Sequence, residues 1–303
     1  MPVMTKESGD NAFKTGSVAV VGVPNAGKSS LINVLLGAKL SIVSRKAQTT
    51  RHKILGIYTD DACQITLLDT PGFQLRHKSM LNSTMNRSVS SSLTEVDLVL
   101  FVIEPGDIQE DDRKLIRMFS SDVPVVCVIS KVDKLDSPND VLPFIDELKK
   151  LFAFSDIIPT SARKKSGLKE LLTLIRTRLP AGFPTYDEDA FTDRPERFFA
   201  AEIIREKLFH LMGEEIPYGA TVEIEEFSEV NGLRRIGATI VVSKSAHKGM
   251  IIGSGGSKLK TIGTKSRIEM EQFFDGKVFL RLWVKVKKGW VDDSQSIKHF
   301  GYE

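Results

Sequence analysis

Apolar positions along this chain follow two rhythms, and the change between them falls near residue 180. In the first part, short and nearly continuous apolar runs occur at 17–22, 54–58, 64–68, 97–103 and 123–129, with a weaker one at 155–159. Such runs predict strands buried on both faces of a sheet. Between them, apolar residues spaced three and four apart predict helices over 28–36, 80–93, 110–119, 138–152 and 167–179. Strands alternating with helices imply a doubly wound, mostly parallel α/β sheet covered on both sides. Residues 180–195 then carry Pro180, Gly182, Pro184 and Pro195 among acids, the composition of a linker. Beyond them the order becomes helix (196–212), strands (221–227 and 237–242), a glycine-rich turn (253–256), a second long helix and a last strand (278–286). That order indicates a smaller α+β domain. The expected organisation is a disordered lead-in over 1–15, a nucleotide domain over 16–180, a linker over 181–195 and a second domain with a tail over 196–303. No internal repeat or low-complexity tract interrupts it.

Composition narrows the class. The 303 residues are 41% hydrophobic and 27% charged, the mix of a soluble globular protein. No stretch approaches the roughly 18 consecutive apolar residues of a membrane span, and the polar N-terminus lacks a secretory core. Cys63 and Cys127 sit in apolar runs with no partner spacing, so buried thiols in a reducing cytosol are expected, with no disulfide or metal site. The net charge of +3 is unevenly spread: up to Asp193 there are 24 Lys/Arg against 24 Asp/Glu, whereas 244–288 holds 11 basic and 3 acidic residues. A basic segment of that kind suits a polyanion as well as a solvated lysine face.

The candidate chemistry begins at the first strand. Gly22-Val23-Pro24-Asn25-Ala26-Gly27-Lys28-Ser29, followed by Ser30, matches the phosphate-binding loop between a strand and a helix. Its main-chain N–H groups and the helix N-terminus suit a phosphate chain. Lys28 would neutralise the β- and γ-phosphates, and Ser29 would ligate Mg²⁺. Asp69-Thr70-Pro71-Gly72 ends the 64–68 strand; Asp69 can hold Mg²⁺ through water, and the Gly72 N–H can sense the γ-phosphate. Thr49 and Thr50 offer a further ligand, with no basis for choosing between them. Ser130-Lys131-Val132-Asp133 follows the 123–129 strand. A carboxylate at Asp133 accepts from N1–H and the 2-amino group of guanine, whereas adenine would leave it unpaired. Ser161 and Ala162 can add a main-chain donor to the guanine oxygen.

These elements, in this order, resemble the translation-factor class of P-loop GTPases. With Gln48-Thr49-Thr50-Arg51-His52 and the stretch 260–263, the chain is similar to the Era family of bacterial KH-domain GTPases over nearly its whole length. In that family Asn stands where Ser130 is found, tying the base loop to the P-loop and contacting guanine N7; a shorter side chain implies weaker nucleotide binding. Phe73 stands where Ras-like enzymes carry a water-orienting Gln, so slow intrinsic hydrolysis is expected. Asn25 resembles the P-loop Asn that holds K⁺ in cation-activated GTPases, the alternative being simple loop support.

Ile251-Ile252-Gly253-Ser254-Gly255-Gly256 matches the GXXG loop of KH domains, which clamps a single-stranded RNA backbone. Lys244, Lys248, Lys258 and Lys260 would attract phosphates. Bases are expected against Ile251, Ile252 and Ile262; Trp283 and Trp290 are candidate stacking surfaces, although a tryptophan embedded in a strand, as Trp283 is, more often belongs to the core. The resemblance implies the 3′ end of 16S rRNA and the 30S subunit as partners, a role in ribosome biogenesis, Mg²⁺ as cofactor, and a cytoplasmic monomer with peripheral membrane association. Two other readings compete: an RNA-binding chaperone with the nucleotide as an occupancy sensor, and a P-loop kinase or ATPase, against which Asp133 argues.

Overall fold

The computed structural model describes residues 12–44, 46, 48–75, 79–213 and 215–302. The first part runs β1 (Lys14–Val21), α1 (Lys28–Leu36), β2 (Ile54–Thr59), β3 (Cys63–Asp69), α2 (Met80–Ser92), β4 (Leu98–Ile103), α3 (Glu110–Ile116), β5 (Val125–Ile129), α4 (Val141–Leu151), β6 (Asp156–Pro159) and α5 (Leu168–Arg178). The sheet order is β2-β3-β1-β4-β5-β6, and β2 alone is antiparallel to its neighbour. All six residues of β4 and all five of β5 are buried, which accounts for their unbroken apolar sequence. Along β1 the alternation divides two cores: Val18 and Val20 face Leu31, Leu67 and Leu100, while Ala19 and Val21 face Phe101, Ile103 and Leu115.

The second part runs α6 (Glu196–Leu211), α7 (Glu215–Tyr218), β7 (Ala220–Val230), β8 (Leu233–Val242), α8 (Ser245–Ile252), α9 (Ser257–Phe273), β9 (Lys277–Val286) and α10 (Ser294–His299). β7 pairs antiparallel with β8, and β8 pairs parallel with β9 through the α8–α9 crossover. α7, α8 and α10 were not among the expected elements. Each spans eight residues or fewer, too short for a helical period to stand out, and α8 contains Gly249.

Two further expectations need correction, and the linker gains a role. Lys14 and Thr15 belong to β1, paired with Cys63 and Gln64, so the ordered chain begins earlier than expected; residues 1–11 of the expected lead-in lie outside the described residues. Trp283 is 45% exposed, against the core placement expected for it, and Trp290 is fully buried, which removes it as a stacking surface. Trp290 donates its indole N–H to the Gly219 carbonyl at 3.0 Å and packs with Leu81 and Met85 of α2, joining the two parts of the chain. The linker, finally, is stitched down: Tyr186 and Thr185 bond the Gln64 amide, the Ile57 N–H donates to the Phe191 carbonyl, and Thr192 donates to the Leu55 carbonyl. It covers β2, the open edge of the sheet. Both cysteines are buried free thiols, as expected. Among the described residues no helix is long and apolar enough to cross a membrane.

Candidate nucleotide site and glycine-loop groove

The loop between β1 and α1 forms one wall of a cavity of about 1030 Å³. Pro24, Asn25, Gly27, Lys28, Ser29, Ser30, Thr49, Thr50, Gly72 and Lys131 line it. Lys28 is buried, and its ammonium donates to the Gly22 and Val23 carbonyls, each at 3.0 Å. Burial pulls its pKa down to about 8, although the Asp69 carboxylate opposes the fall. A bound phosphate chain would restore the ammonium, so binding takes up a proton above pH 8. The association constant for MgGDP is therefore expected to fall about tenfold between pH 7 and pH 9, measured by titration calorimetry. A flat profile would mean that Lys28 stays fully charged in the free protein.

Ser29, Thr50 and Asp69 converge. The Ser29 hydroxyl donates to Asp69 Oδ2 at 2.9 Å and lies 2.9 Å from the Thr50 hydroxyl, which donates to the same carboxylate oxygen at 3.4 Å. Asp69 is fully buried, and burial raises its pKa against the Ser41 hydroxyl, Lys28, Ser29 and Thr50. Its second oxygen, Oδ1, is buried and accepts no hydrogen bond from the described residues. Two hydroxyls and an underused buried carboxylate form an oxygen donor set that suits Mg²⁺. The structure also separates the two threonines: the Thr49 hydroxyl turns back onto the Lys46 carbonyl at 2.6 Å and takes no part in the cluster. Gly72 lies so close to the P-loop that a Cβ there would stand 2.7 Å from the Pro24 backbone. Thr70 donates to the Val20 carbonyl at 2.8 Å, and Val23, Ala26 and Pro71 complete the loop backbones. Phe73 is buried in the core, so it is turned away from the cavity.

The base side is held by a short network. Ser130 donates to the Ala26 carbonyl at 2.5 Å and to the Ile103 carbonyl at 3.2 Å. The shorter side chain therefore keeps the tie to the P-loop. Lys131 donates to the Asn25 carbonyl at 2.5 Å and pairs with Glu104. The Ser161 hydroxyl donates to Asp133 at 2.5 Å and holds that carboxyl below its usual pKa range. The Ser161 main-chain N–H is committed to the Ser166 carbonyl at 3.0 Å, which leaves Ala162 as the donor candidate.

In the second part, the glycine turn opens α9, with Gly256 as its N-cap at φ 78°, a left-handed position that suits glycine. Lys244, Lys248, Lys258 and Lys260 are all exposed, and Lys244 and Lys248 lie at the start and on the body of α8. A groove beside the turn is lined by Gly256, Leu259, Lys260, Thr264, Arg267, Leu280 and Leu282. Ile251 and Ile262 are fully buried in the core and cannot meet a base, so that expectation is corrected; Ile252 is half-buried. Leu259, Leu280 and Leu282 supply the apolar lining.

Comparison with known proteins agrees with this geometry. Residues 17–131 match the family described as 50S ribosome-binding GTPase, and residues 215–291 match the KH domain. The chain is 48% identical to the GTPase Era of Nitrosomonas eutropha over 97% of this chain and 99% of that one. The chain belongs to the Era family. It is a GTPase of that family, also 48% identical to the GTPase Era of Chromobacterium violaceum over 97% and 99% of the two chains. The crystal structure of an Aquifex aeolicus Era variant bound to GDP·AlF4⁻ superposes with a TM-score of 0.92 at 40% identity, covering 96% of this chain and 99% of that one. A structure of Era with MgGDPNP and nucleotides 1506–1542 of 16S ribosomal RNA matches with the same TM-score, identity and coverage.

Several residues of this Era-family site escaped the sequence reading. Phe209 and His210, from the end of α6, reach the nucleotide cavity, and His210 hydrogen-bonds the Val43 carbonyl at 3.0 Å. Arg51, next to Thr50, is buried in the other part of the protein: it donates to the Pro217 carbonyl at 2.7 Å and the Ala220 carbonyl at 2.8 Å. His52 stacks on Tyr302 with ring centroids 4.5 Å apart, and burial takes its pKa down to about 4. The Gln48–His52 stretch carries both residues, but nothing in its sequence tells that their side chains enter the second part.

Proposed function

We propose that the chain binds GTP in the 22–30 loop cavity, hydrolyses it to GDP and phosphate, and grips single-stranded RNA from near the 3′ end of 16S rRNA in the α9–β9 groove. The observation that carries the nucleotide half is the Ser29–Thr50–Asp69 cluster with the underused Asp69 oxygen. Mg²⁺ supplies positive charge at the phosphate oxygens when bound, and Ser29, Thr50 and Asp69 would hold it there. Lys28 neutralises the β- and γ-phosphates, the Gly72 N–H reads the γ-phosphate, and Asp133 with Ala162 selects guanine. The RNA half is supported by the Era structure holding 16S rRNA nucleotides and by the exposed lysines around Gly253, Ser254, Gly255 and Gly256. On this reading the protein works in 30S subunit assembly as a cytoplasmic monomer. The lysine face would also attract anionic lipid headgroups, which supports a peripheral membrane contact. The domain limits that follow are 16–180, extended back to Lys14 by β1, and 196–303.

Phe73 offers no group to orient the attacking water, so turnover is expected to depend on a further contribution. Asn25 stands exposed at φ 66° beside the cavity, where a K⁺ ion would face the phosphates. GTP turnover by the full chain is to be measured in potassium and in sodium buffer, with and without an RNA matching the 16S 3′ end. Faster turnover in potassium, reduced in Asn25→Ala, is the expected result; equal rates in both buffers remove the K⁺ role. Failure of that RNA to bind in any nucleotide state would sink the RNA half.

A further inference from the structure

β9 is the edge strand of the second sheet, and its two faces differ sharply. Its inward residues Leu280 and Leu282 line the groove already described. Its outward residues Lys277, Phe279, Arg281, Trp283 and Lys285 are all exposed, with Phe279 at 49% and Trp283 at 45%. Exposed aromatics grouped into one patch, unlike those scattered singly, mark interaction sites. The cluster is ordered in advance. The Arg281 guanidinium lies 5.9 Å from the Phe279 ring centroid and 5.5 Å from that of Trp283, and Glu226 of β7 holds it at 2.7 Å. The Trp283 ring passes over Gly237 of β8, close enough that a Cβ there would touch it at 3.5 Å.

We propose that this outward face of β9 is a second RNA-contact surface. Unpaired bases stack on Trp283 and Phe279, while Lys277, Arg281 and Lys285 meet the phosphates. Every base presents a π-face, so an aromatic platform alternating with cations takes single strands without strict sequence demand. The inference rests on the groove reading: a KH groove holds about four nucleotides, and a longer strand leaving it must turn past the edge that β9 forms. The charge pattern favours a narrow polyanion. Glu223, Glu225 and Glu226 lie on this face of β7, the far strand of the sheet, and would repel a broad anionic bilayer. Along β9 itself every charged residue is a cation, and Glu226 is already paired with Arg281.

The test uses the full chain and fluorescence anisotropy with two oligoribonucleotides, one of about four nucleotides that fills the groove and one of about twelve. Trp283→Ala is expected to weaken the longer RNA about tenfold and to leave the shorter one unchanged. Trp283→Phe should recover most of the loss, which separates stacking from damage to the sheet. Unchanged affinity of Trp283→Ala for the longer RNA overturns the proposal. So does loss of binding to vesicles of equimolar phosphatidylglycerol and phosphatidylcholine with RNA affinity intact. The groove reading fails separately, if Lys258→Ala and Lys260→Ala leave both affinities unaltered.

Discussion

Replacing Asp133 with asparagine is expected to lower GTP affinity by a factor of about 10² to 10³ and to create measurable binding of xanthosine triphosphate. The carboxylate is ready for its task. Ser161 donates to Oδ1 and keeps the group ionised, so the remaining lone pairs can accept from guanine N1–H and the 2-amino group. Asparagine presents one acceptor and one donor. Its amide N–H would oppose the guanine amino group, two donors facing each other. Xanthine carries a carbonyl oxygen at that position and accepts instead. Titration of both nucleotides into wild type and variant checks this. Equal loss of both nucleotides would mean that the substitution disturbed the loop and that Asp133 does not read the base.

Arg51→Met should have the largest effect on stability. The guanidinium is 2% exposed and satisfies carbonyls at Pro217, Tyr218 and Ala220. A methionine of similar length fills the space but strands those acceptors, at a cost of about 3 kcal/mol by the usual scale for buried unpaired groups. The loss should appear as an earlier first transition in thermal unfolding, because it falls on the contact between the two parts of the protein. A second consequence follows from position. Thr50 sits in the Ser29–Asp69 cluster and the Arg51 side chain reaches into the second domain, so one peptide bond lies between the two. In the variant, RNA affinity is expected to become the same with GDP and with a GTP analogue. A retained difference would show that the signal passes elsewhere, for instance through Asp292, which accepts from the Met80 N–H at the start of α2.

The nucleotide site was largely legible because its chemistry is local: each motif sits at a strand end and is spelled by consecutive residues. What could not be read was the choice among equals. Thr49 and Thr50 carry the same hydroxyl, and the fold sets Thr50 against Asp69, with Arg51 and His52 anchored next to it in the second domain. Ile251 and Ile262 share the glycine turn's neighbourhood in sequence, yet their helices turn them into the core. Leu280 and Leu282, distant along the chain, take the groove. Of the two candidate stacking tryptophans, strand parity singles out Trp283. Trp283 shares its parity with Lys277, Arg281 and Lys285, and strand periodicity puts all four on one face. α8 was hidden by its brevity.

The segment sewn along β2 carries a practical corollary for anyone wishing to cut this molecule in two. Its proline and glycine content suggests scissors at 180, but removing Thr185, Tyr186, Phe191 and Thr192 would bare a row of amides on a sheet margin that those residues occupy. A fragment trimmed there should self-associate, whereas one carried through Thr192 keeps its hem.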